Sequence, residues 1–284
     1  MKSIRWLFLL VCIILLIVPG QAQVCDSTIR VLSFNIRYDN PGDGLNSWQF
    51  RKNRIAQFIR YHGADLCGFQ EALSNQIEDL DSLLPEYDWI GVGREDGMQN
   101  GEFCPIFFRK DRFTLKDQGT FWLSETPSVA GSKGWDAALP RIVTWCFVKD
   151  TVTRNVIGCF NTHFDHVGEN ARRMSAQLLV EKVDKYMNSV PLIITGDFNC
   201  TDTSVVHSIM KKNGFQDAFH ISREPHYGPN STWNGFKEIE NGNRIDFIYV
   251  LGAVNVRKHA ILTDRWDGKF PSDHLPVLAE IVIR

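Results

Sequence analysis

The stretch "IITGDFN" at residues 193–199 is the most informative part of the sequence. An apolar run ends at Gly196, and Asp197 and Asn199 then flank a single phenylalanine. A short apolar run bounded by turn residues is typical of a buried strand. Because an unpaired carboxylate is costly to bury, Asp197 at the end of this strand requires a hydrogen-bonding partner or a metal ion.

Two later stretches repeat the arrangement. In "RIDFIYV" (244–250), Asp246 stands at the start of an apolar run. In "SDHLPV" (272–277), Asp273 and His274 stand directly before a further apolar run. In each case the chain sets an ionisable side chain at the boundary of a predicted buried strand. We therefore expect the three segments to meet at one edge of a sheet.

Three earlier apolar runs also end in polar clusters: Asn35 in "SFNIR" (33–37), Glu71 in "GFQEA" (68–72) and His163 in "NTHFDH" (161–166). Any one of these clusters is compatible with a turn or a helix cap. Together they indicate a functional site, because perturbed titratable groups gather at such sites. Oxygen ligands with few histidines and no thiolates favour a hard cation, Mg²⁺ or Mn²⁺.

The rest of the chain alternates short apolar runs with amphipathic stretches, which predicts an α/β fold. Apolar residues recur at helical spacing in three segments, and we predict helices over 49–62, 71–84 and 169–187. No low-complexity linker divides the sequence, so it is interpreted as one domain.

An internal similarity suggests two halves of similar build. "FNIRYDN" at 34–40 resembles "FNTHFDH" at 160–166, and each precedes a predicted helix and an apolar run ending in an acid. The spacing also matches, because Asn35 to Glu71 and Asn161 to Asp197 are both 36 residues (71 − 35 and 197 − 161). Such self-similarity normally reflects repeated structural units.

The first 22 residues have the pattern of a secretory signal peptide. Lys2 and Arg5 precede an apolar run over 6–18, and small residues follow up to Ala22. The run is too short to span a membrane comfortably, so no transmembrane segment is expected in the mature chain, 23–284. We expect export to the periplasm or outside the cell. Lipidation at Cys25 is disfavoured because Val24 is larger than lipoprotein cleavage tolerates.

Charge and cysteine content exclude some partners. The chain has 31 basic and 33 acidic residues, net charge −2, with no lysine–arginine block, so the charge does not indicate nucleic-acid binding, although nucleic acid stays open as a substrate. The seven cysteines form no CxxC pair, which argues against a zinc cluster. We expect a monomer.

Taken in order, these motifs resemble the endonuclease/exonuclease/phosphatase superfamily, the deoxyribonuclease I-like metal-dependent hydrolases, in its secreted bacterial branch. The resemblance runs from about residue 29 to residue 284, and "GDFN" with "SDH" is its most specific part. It implies a four-layer α/β/β/α sandwich in which two packed mixed sheets are flanked by helices. It also implies a Mg²⁺-dependent phosphoesterase that hydrolyses a phosphodiester or a phosphomonoester by attack of water.

The resemblance implies a role for each motif residue. Glu71 and Asp273 correspond to metal ligands, with Asn35 beside them to orient ligands or substrate. Asp197 corresponds to the group that orients or deprotonates the attacking water. The remaining matches are Asn199 at water and phosphate, Asp246 paired with His274, and His163 at phosphate or the leaving group.

Substrate contacts are predicted from two loops and two arginines. Trp135 in the loop 119–141 and Trp233 in 227–236 are candidates to stack on a ring of the substrate, or to anchor their loops to the core. Arg109 and Arg141 are candidates to bind phosphate with a guanidinium fork, or to form structural ion pairs. The alternatives are an extracellular nuclease, a sphingomyelinase-like phospholipase C and a catalytically silent binding module.

Overall fold

The structure, a computed structural model, describes residues 27–184, 186, 189–239, 242 and 244–284. The predicted signal peptide and Cys25 lie outside these residues. Twelve strands form two six-stranded sheets: β1 Ile29–Asn35, β2 Leu66–Gln70, β3 Tyr87–Ile90, β4 Ile106–Arg109, β5 Phe113–Trp122, β6 Ile142–Asp150, β7 Val156–His163, β8 Leu192–Asp197, β9 Gln216–Asp217, β10 Asp246–Leu251, β11 Val254–Ile261 and β12 Val277–Ile283. The helices are α1 Trp48–His62, α2 Ser74–Leu83, α3 Glu169–Asp184, α4 Val205–Lys212 and α5 Ala218–Ile221, with a 3₁₀ helix at Pro41–Asn46.

The two sheets have matching strand orders. The first runs β11-β12-β1-β2-β4-β3 and the second β5-β6-β7-β8-β10-β9. Each contains one parallel pair, β1–β2 or β7–β8, and its other neighbours are antiparallel. Each parallel pair is joined through a helix, α1 or α3, as a parallel connection requires. The two-half organisation indicated by the sequence is therefore present in the fold.

Apolar side chains form three layers of core. Between the sheets pack inward-facing residues of both, including Val31, Leu66, Ile157, Ile193 and Ile248. On the outer face of the first sheet α1 and α2 bury Ile55, Phe58, Ile59 and Leu80, and on the second α3 and α4 bury Ala176, Leu179, Val183 and Met210. This arrangement confirms the four-layer sandwich. Throughout the part of the chain that the structure describes, no helix has both the length and the apolarity to cross a membrane.

The helices differ from their predicted bounds mainly at one end. The predicted 71–84 helix begins at Ser74, because Glu71 follows β2 directly and has a left-handed backbone (φ 62°) that a helix cannot include. The third helix is described over Glu169–Asp184, and residues 185 and 187 of its predicted range lie outside the described residues.

The two sheets lie in close contact at Gly68 and Asn161. The amide nitrogen of Asn161 donates to the backbone oxygens of Phe69 (2.6 Å) and Pro105 (2.9 Å) on the first sheet. Its oxygen accepts from the side chains of Gln70 (2.6 Å) and Thr195 (3.0 Å). Asn161 is thus a polar cross-link between the sheets, and it lies two residues before the strand end that reaches the site.

Arg51 on α1 connects two loops that border the site. It is 2% exposed and donates to four backbone oxygens: Asn46 (2.5 Å), Ile36 (2.6 Å), Pro271 (3.0 Å) and Arg37 (3.1 Å). Burial lowers the pKa of Arg51 to about 10, so the guanidinium stays charged at neutral pH. The segment after β1 and the segment that leads into Asp273 are therefore held in a fixed relation.

Candidate active site

The predicted motif residues meet at one edge of the sandwich. The strand register places Asp197 between His163 on β7 and Asp246 on β10. Asn35 ends β1, and Glu71 follows β2, on the facing sheet. These ends border a pocket of about 570 Å³. Parallel strands β1, β2, β7 and β8 all present their carboxyl ends here, which is why sequence motifs far apart converge.

Asp246 and His274 form a buried pair. His274 Nδ1 donates to Asp246 Oδ2 over 2.9 Å. Burial disfavours the charged imidazole, but the carboxylates of Asp246 and Asp197 outweigh it and hold the pKa of His274 well above its usual value. His274 is therefore protonated at neutral pH, and Nε2 is its second donor.

Asp197 receives hydrogen bonds on both oxygens. Its Oδ2 accepts from Asn35 Nδ2 (3.0 Å) and lies 3.6 Å from His163 Nε2 and 3.7 Å from His274 Nδ1, while its Oδ1 accepts from the backbone of Asn199 (2.9 Å). Burial, with repulsion from Asp246, raises the pKa of Asp197 to about 7. A carboxyl that titrates near neutrality is suited to exchange a proton with water.

Glu71 and Asp273 form the acidic side of the pocket. Asn35 Nδ2 donates to Glu71 Oε1 (3.0 Å), and the Arg37 guanidinium lies 3.9 Å from Glu71 Oε2 and 3.7 Å from Asp273 Oδ2. Burial and repulsion from Glu71 raise the pKa of Asp273 above its usual value, although His274 and Arg37 oppose this. Two neighbouring carboxylates whose negative charges repel one another are suited to bind a hard divalent cation between them. Asn35 is fully buried and its oxygen accepts from Arg37 N, so it orients the acids.

A second group of ligand atoms lies deeper. One atom each of Asp197, Asp246 and His274 fall within 4.8 Å of one another. The Nδ1 of His274 is already bonded to Asp246 and protonated, so this group acts more naturally in proton transfer than in binding Mg²⁺, which prefers oxygen. Of the two groups, Glu71 and Asp273 fit the cation better.

His163 is embedded in a network that the sequence did not reveal. Its Nε2 accepts from Asn199 Nδ2 (2.9 Å), so its proton is on Nδ1, 3.7 Å from Glu102 Oε2. Burial and the neighbouring arginines hold the pKa of His163 well below its usual value. Glu102 in turn accepts a bidentate pair from Arg94 (2.6 and 3.0 Å). Glu102 and Arg94 lie outside the strand-end motifs, which is why the sequence patterns did not indicate them.

The predicted substrate residues separate into two pairs. Trp233 and Arg141 line the pocket, although Arg141 is 3% exposed and bound to its neighbours. Arg109 does not line it: β4 runs antiparallel to β2, so its end lies at the opposite edge, where Arg109 pairs with Asp111. Trp135 is half-buried in its loop and also lies outside the pocket lining.

Three residues of the site adopt left-handed backbone conformations: Arg37 (φ 57°), Glu71 (φ 62°) and Asn199 (φ 48°). Such conformations are costly for residues other than glycine and persist where surrounding contacts enforce them. Here each one turns the chain sharply after a strand, so that its side chain faces the pocket.

Comparison with known proteins agrees with this geometry. A model of the Endonuclease/Exonuclease/phosphatase family matches residues 32–274. An endonuclease/exonuclease/phosphatase from Bacteroides vulgatus is 44% identical over 90% of this chain and 99% of its own, with a TM-score of 0.87. The mannosyl-6-phosphatase of Bacteroides thetaiotaomicron is 39% identical over 90% of this chain and 100% of its own, also with a TM-score of 0.87.

More distant curated proteins are longer. The chain is 21% identical to Ccr4 of Mycosarcoma maydis, the 3'-5'-exoribonuclease subunit of the CCR4-Not complex, over 90% of this chain and 51% of Ccr4. The chain spans about half or less of the length of the first curated relatives it matches.

Proposed function

The chain belongs to the endonuclease/exonuclease/phosphatase family, a family of divalent-metal-dependent hydrolases of phosphoester bonds, and we propose that it is a Mg²⁺-dependent phosphomonoesterase acting on a phosphorylated sugar or polyol. The observation that carries the proposal is the single pocket in which the acids Glu71 and Asp273 face Asp197 and the protonated His274. Hydrolysis of a phosphate ester needs this combination of cation site, proton acceptor and donor.

Three features support a small substrate. The pocket volume of about 570 Å³ is within the range of about 300–1,000 Å³ typical of small-molecule sites. The net charge of −2 does not favour binding of a polynucleotide. The neighbour at 39% identity, aligned over its whole length, is a mannosyl-6-phosphatase.

Glu71 and Asp273 would hold the cation, with Asn35 fixing the orientation of Glu71. The bound cation supplies positive charge to the phosphoryl oxygens. Arg37, held by a bidentate bond to Asp43 (3.0 and 3.2 Å), adds a further positive charge beside both acids.

Asp197 accepts a proton from the attacking water in this proposal. Its Oδ2 is held by Asn35, and its Oδ1 by the backbone of Asn199, so the carboxylate cannot rotate away. Asn199 donates through its side chain to His163 and to the backbone oxygen of Phe164, and thereby fixes the neutral imidazole at the pocket wall.

His274 donates from Nε2 to a phosphoryl oxygen, where negative charge accumulates in the transition state. Asp246 sets the ring orientation and keeps the imidazole protonated. Trp233 is 46% exposed, and its backbone pairs with that of His274. In this proposal its indole, which lines the pocket, contacts the alcohol part of the substrate.

An extracellular nuclease is the second candidate, supported by similarity to the exoribonuclease Ccr4. The two are separated by hydrolysis assays at saturating Mg²⁺ with mannose 6-phosphate, bis(p-nitrophenyl) phosphate, DNA, RNA and sphingomyelin. We expect turnover of the sugar phosphate, abolished by EDTA. Preferential cleavage of RNA, DNA or sphingomyelin would refute the proposed substrate class, and no hydrolysis of any substrate would favour a silent binding module.

We also propose that the protein is exported, on the strength of the charged, apolar and small-residue segments over residues 2–22. N-terminal sequencing of the protein recovered outside the cytoplasm should begin at Gln23. A mature chain that retains Met1 would contradict this.

A further inference from the structure

His166 lines the pocket but has no part in the proposed chemistry. It follows β7 by three residues and is exposed to solvent. Its Nδ1 lies 2.9 Å from Nη2 of the buried Arg141. An exposed ring held on one side by a buried guanidinium has one free edge, which faces away from that contact.

The contact with Arg141 determines which nitrogen of His166 carries the proton. A guanidinium has donors and no acceptor, so His166 Nδ1 must accept this hydrogen bond. The neutral imidazole therefore carries its proton on Nε2. A proton on Nδ1 would place N–H against N–H, so this hydrogen bond leaves Nε2 as the donor of the His166 ring.

Arg141 is itself fixed by Asp165. The Nε of Arg141 lies 3.4 Å from Asp165 Oδ2. Although burial opposes ionisation, backbone hydrogen bonds to the carboxylate lower the pKa of Asp165 to about 2. The donors are the backbone nitrogens of Gly168 (2.8 Å), Val167 (3.0 Å), Ala138 (3.1 Å) and Leu139 (3.3 Å). The carboxylate thus joins the loop before β6 to the loop after β7 and holds Arg141 between them.

His166 lies at a different depth from the reacting groups. Asp197, His163 and His274 are 1%, 6% and 5% exposed, whereas His166 is exposed at the same pocket. A phosphate seated among the buried groups therefore places its alcohol part towards the rim. The Nε2–H of His166 is available to an oxygen of that alcohol part.

We propose that His166 is a specificity-determining residue, which donates a hydrogen bond from Nε2 to a hydroxyl oxygen on the alcohol part of a polyol or sugar phosphate. This inference rests on the proposed phosphatase function and names the residue that selects its substrate class. A hydroxyl group accepts such a bond, whereas an unsubstituted aryl edge does not. Asp165 and Arg141 act as positioning residues, because they fix the tautomer and the ring.

Two variants of His166 form a matched pair. The side chain of His166→Phe keeps a planar ring but has no donor. That of His166→Gln keeps both functions, since its oxygen accepts from Arg141 and its nitrogen donates towards the pocket. The measured quantity is the ratio of kcat/KM for mannose 6-phosphate to kcat/KM for phenyl phosphate at saturating Mg²⁺, with thermal unfolding as the control for folding.

His166→Phe should lower this ratio about tenfold, the scale of one net hydrogen bond, mainly through KM for the sugar phosphate, and His166→Gln should restore most of it. Equal losses with both substrates, or no loss in His166→Phe, would overturn the proposal. A wild-type protein that hydrolyses the aryl phosphate but not the sugar phosphate would also overturn it and leave the phosphatase activity standing. Failure with both would instead refute the proposed function, and the inference with it.

Discussion

His274 donates from Nδ1 to Oδ2 of Asp246 over 2.9 Å, and both side chains are buried beside Asp197. Because the pKa of His274 is raised in the folded protein, protonation of its imidazole stabilises the fold. This contribution is complete at a pH below the ordinary histidine pKa and is lost as the pH rises through the raised pKa of the folded protein. Asp197 shows a dependence of the same sign at lower pH. Its raised pKa means that ionisation, between about pH 4 and about pH 7, costs stability.

Asp246→Asn should shift the pH–rate profile to lower pH on both limbs. The alkaline limb moves because the pKa of His274 falls when its carboxylate partner is lost, and the acid limb moves because Asp197 loses a repulsive neighbour. Asparagine still accepts the His274 hydrogen bond, so the ring orientation is kept. The measurement is kcat/KM against pH at saturating Mg²⁺.

A matched control for this shift is Asp184→Asn, at the end of α3 and remote from the pocket lining. An Asp246→Asn profile that coincides with wild type would show that Asp246 does not set the protonation of His274.

The structure brings together the residues singled out from the sequence where an ionisable residue stands at a strand boundary, and their catalytic and metal-binding roles stay predictions. Asp197 and Asp246 are of this kind, and sheet pairing sets them opposite each other, whereas His274 precedes β12 by three residues and reaches Asp246 through its side chain. Glu102 and Arg94 come instead from a loop with no periodic pattern, and their partners are fixed only by tertiary packing. The prediction that Arg109 binds phosphate was wrong for a different reason. The direction of β4 decides which edge of the sheet Arg109 reaches, and the residue types in the strand do not reveal that direction.

Glu71→Gln should weaken Mg²⁺ binding by at least about tenfold, the scale seen when groups around a metal are altered. Glutamine keeps the size of the side chain and one oxygen but loses the charge that faces the cation. Isothermal titration of Mg²⁺ into the protein without substrate measures this directly. Glu78→Gln, an exposed residue on α2, is the matched control. Equal Mg²⁺ affinity in Glu71→Gln and wild type would exclude Glu71 as a ligand.

Gly68→Ala should destabilise the protein by about 3 kcal/mol, the upper part of the range for overpacking. A Cβ at this position would lie 2.0 Å from Thr195 Oγ1 and 2.6 Å from Asn161 Oδ1, between the two sheets. Urea unfolding gives the free energy of unfolding. Gly42→Ala is the control, since its nearest neighbour is the side chain of Asn40 at 3.1 Å. If both variants lose equally little, the sheets do not close tightly over Gly68.

Asp197→Asn should not lower stability at pH 8 in EDTA. The wild-type carboxylate is buried and ionised at that pH against its raised pKa of about 7, and asparagine removes this cost. Thermal unfolding of the metal-free proteins at pH 5 and pH 8 compares them. A variant that is much less stable than wild type at pH 8 would show that the carboxylate is stabilised by its neighbours instead.

The turnover of Asp197→Asn measures how much the reaction depends on Asp197 as proton acceptor. The substitution keeps the shape of the side chain and removes the proton acceptor, so kcat for mannose 6-phosphate at pH 8 and saturating Mg²⁺ should fall by at least about 100-fold, the scale of general-base catalysis. Mg²⁺ affinity and unfolding should stay close to wild type. If Asp197→Asn turns over the substrate at a near wild-type rate, the ends of β8 and β10 and the segment before β12 do not form the catalytic site described above.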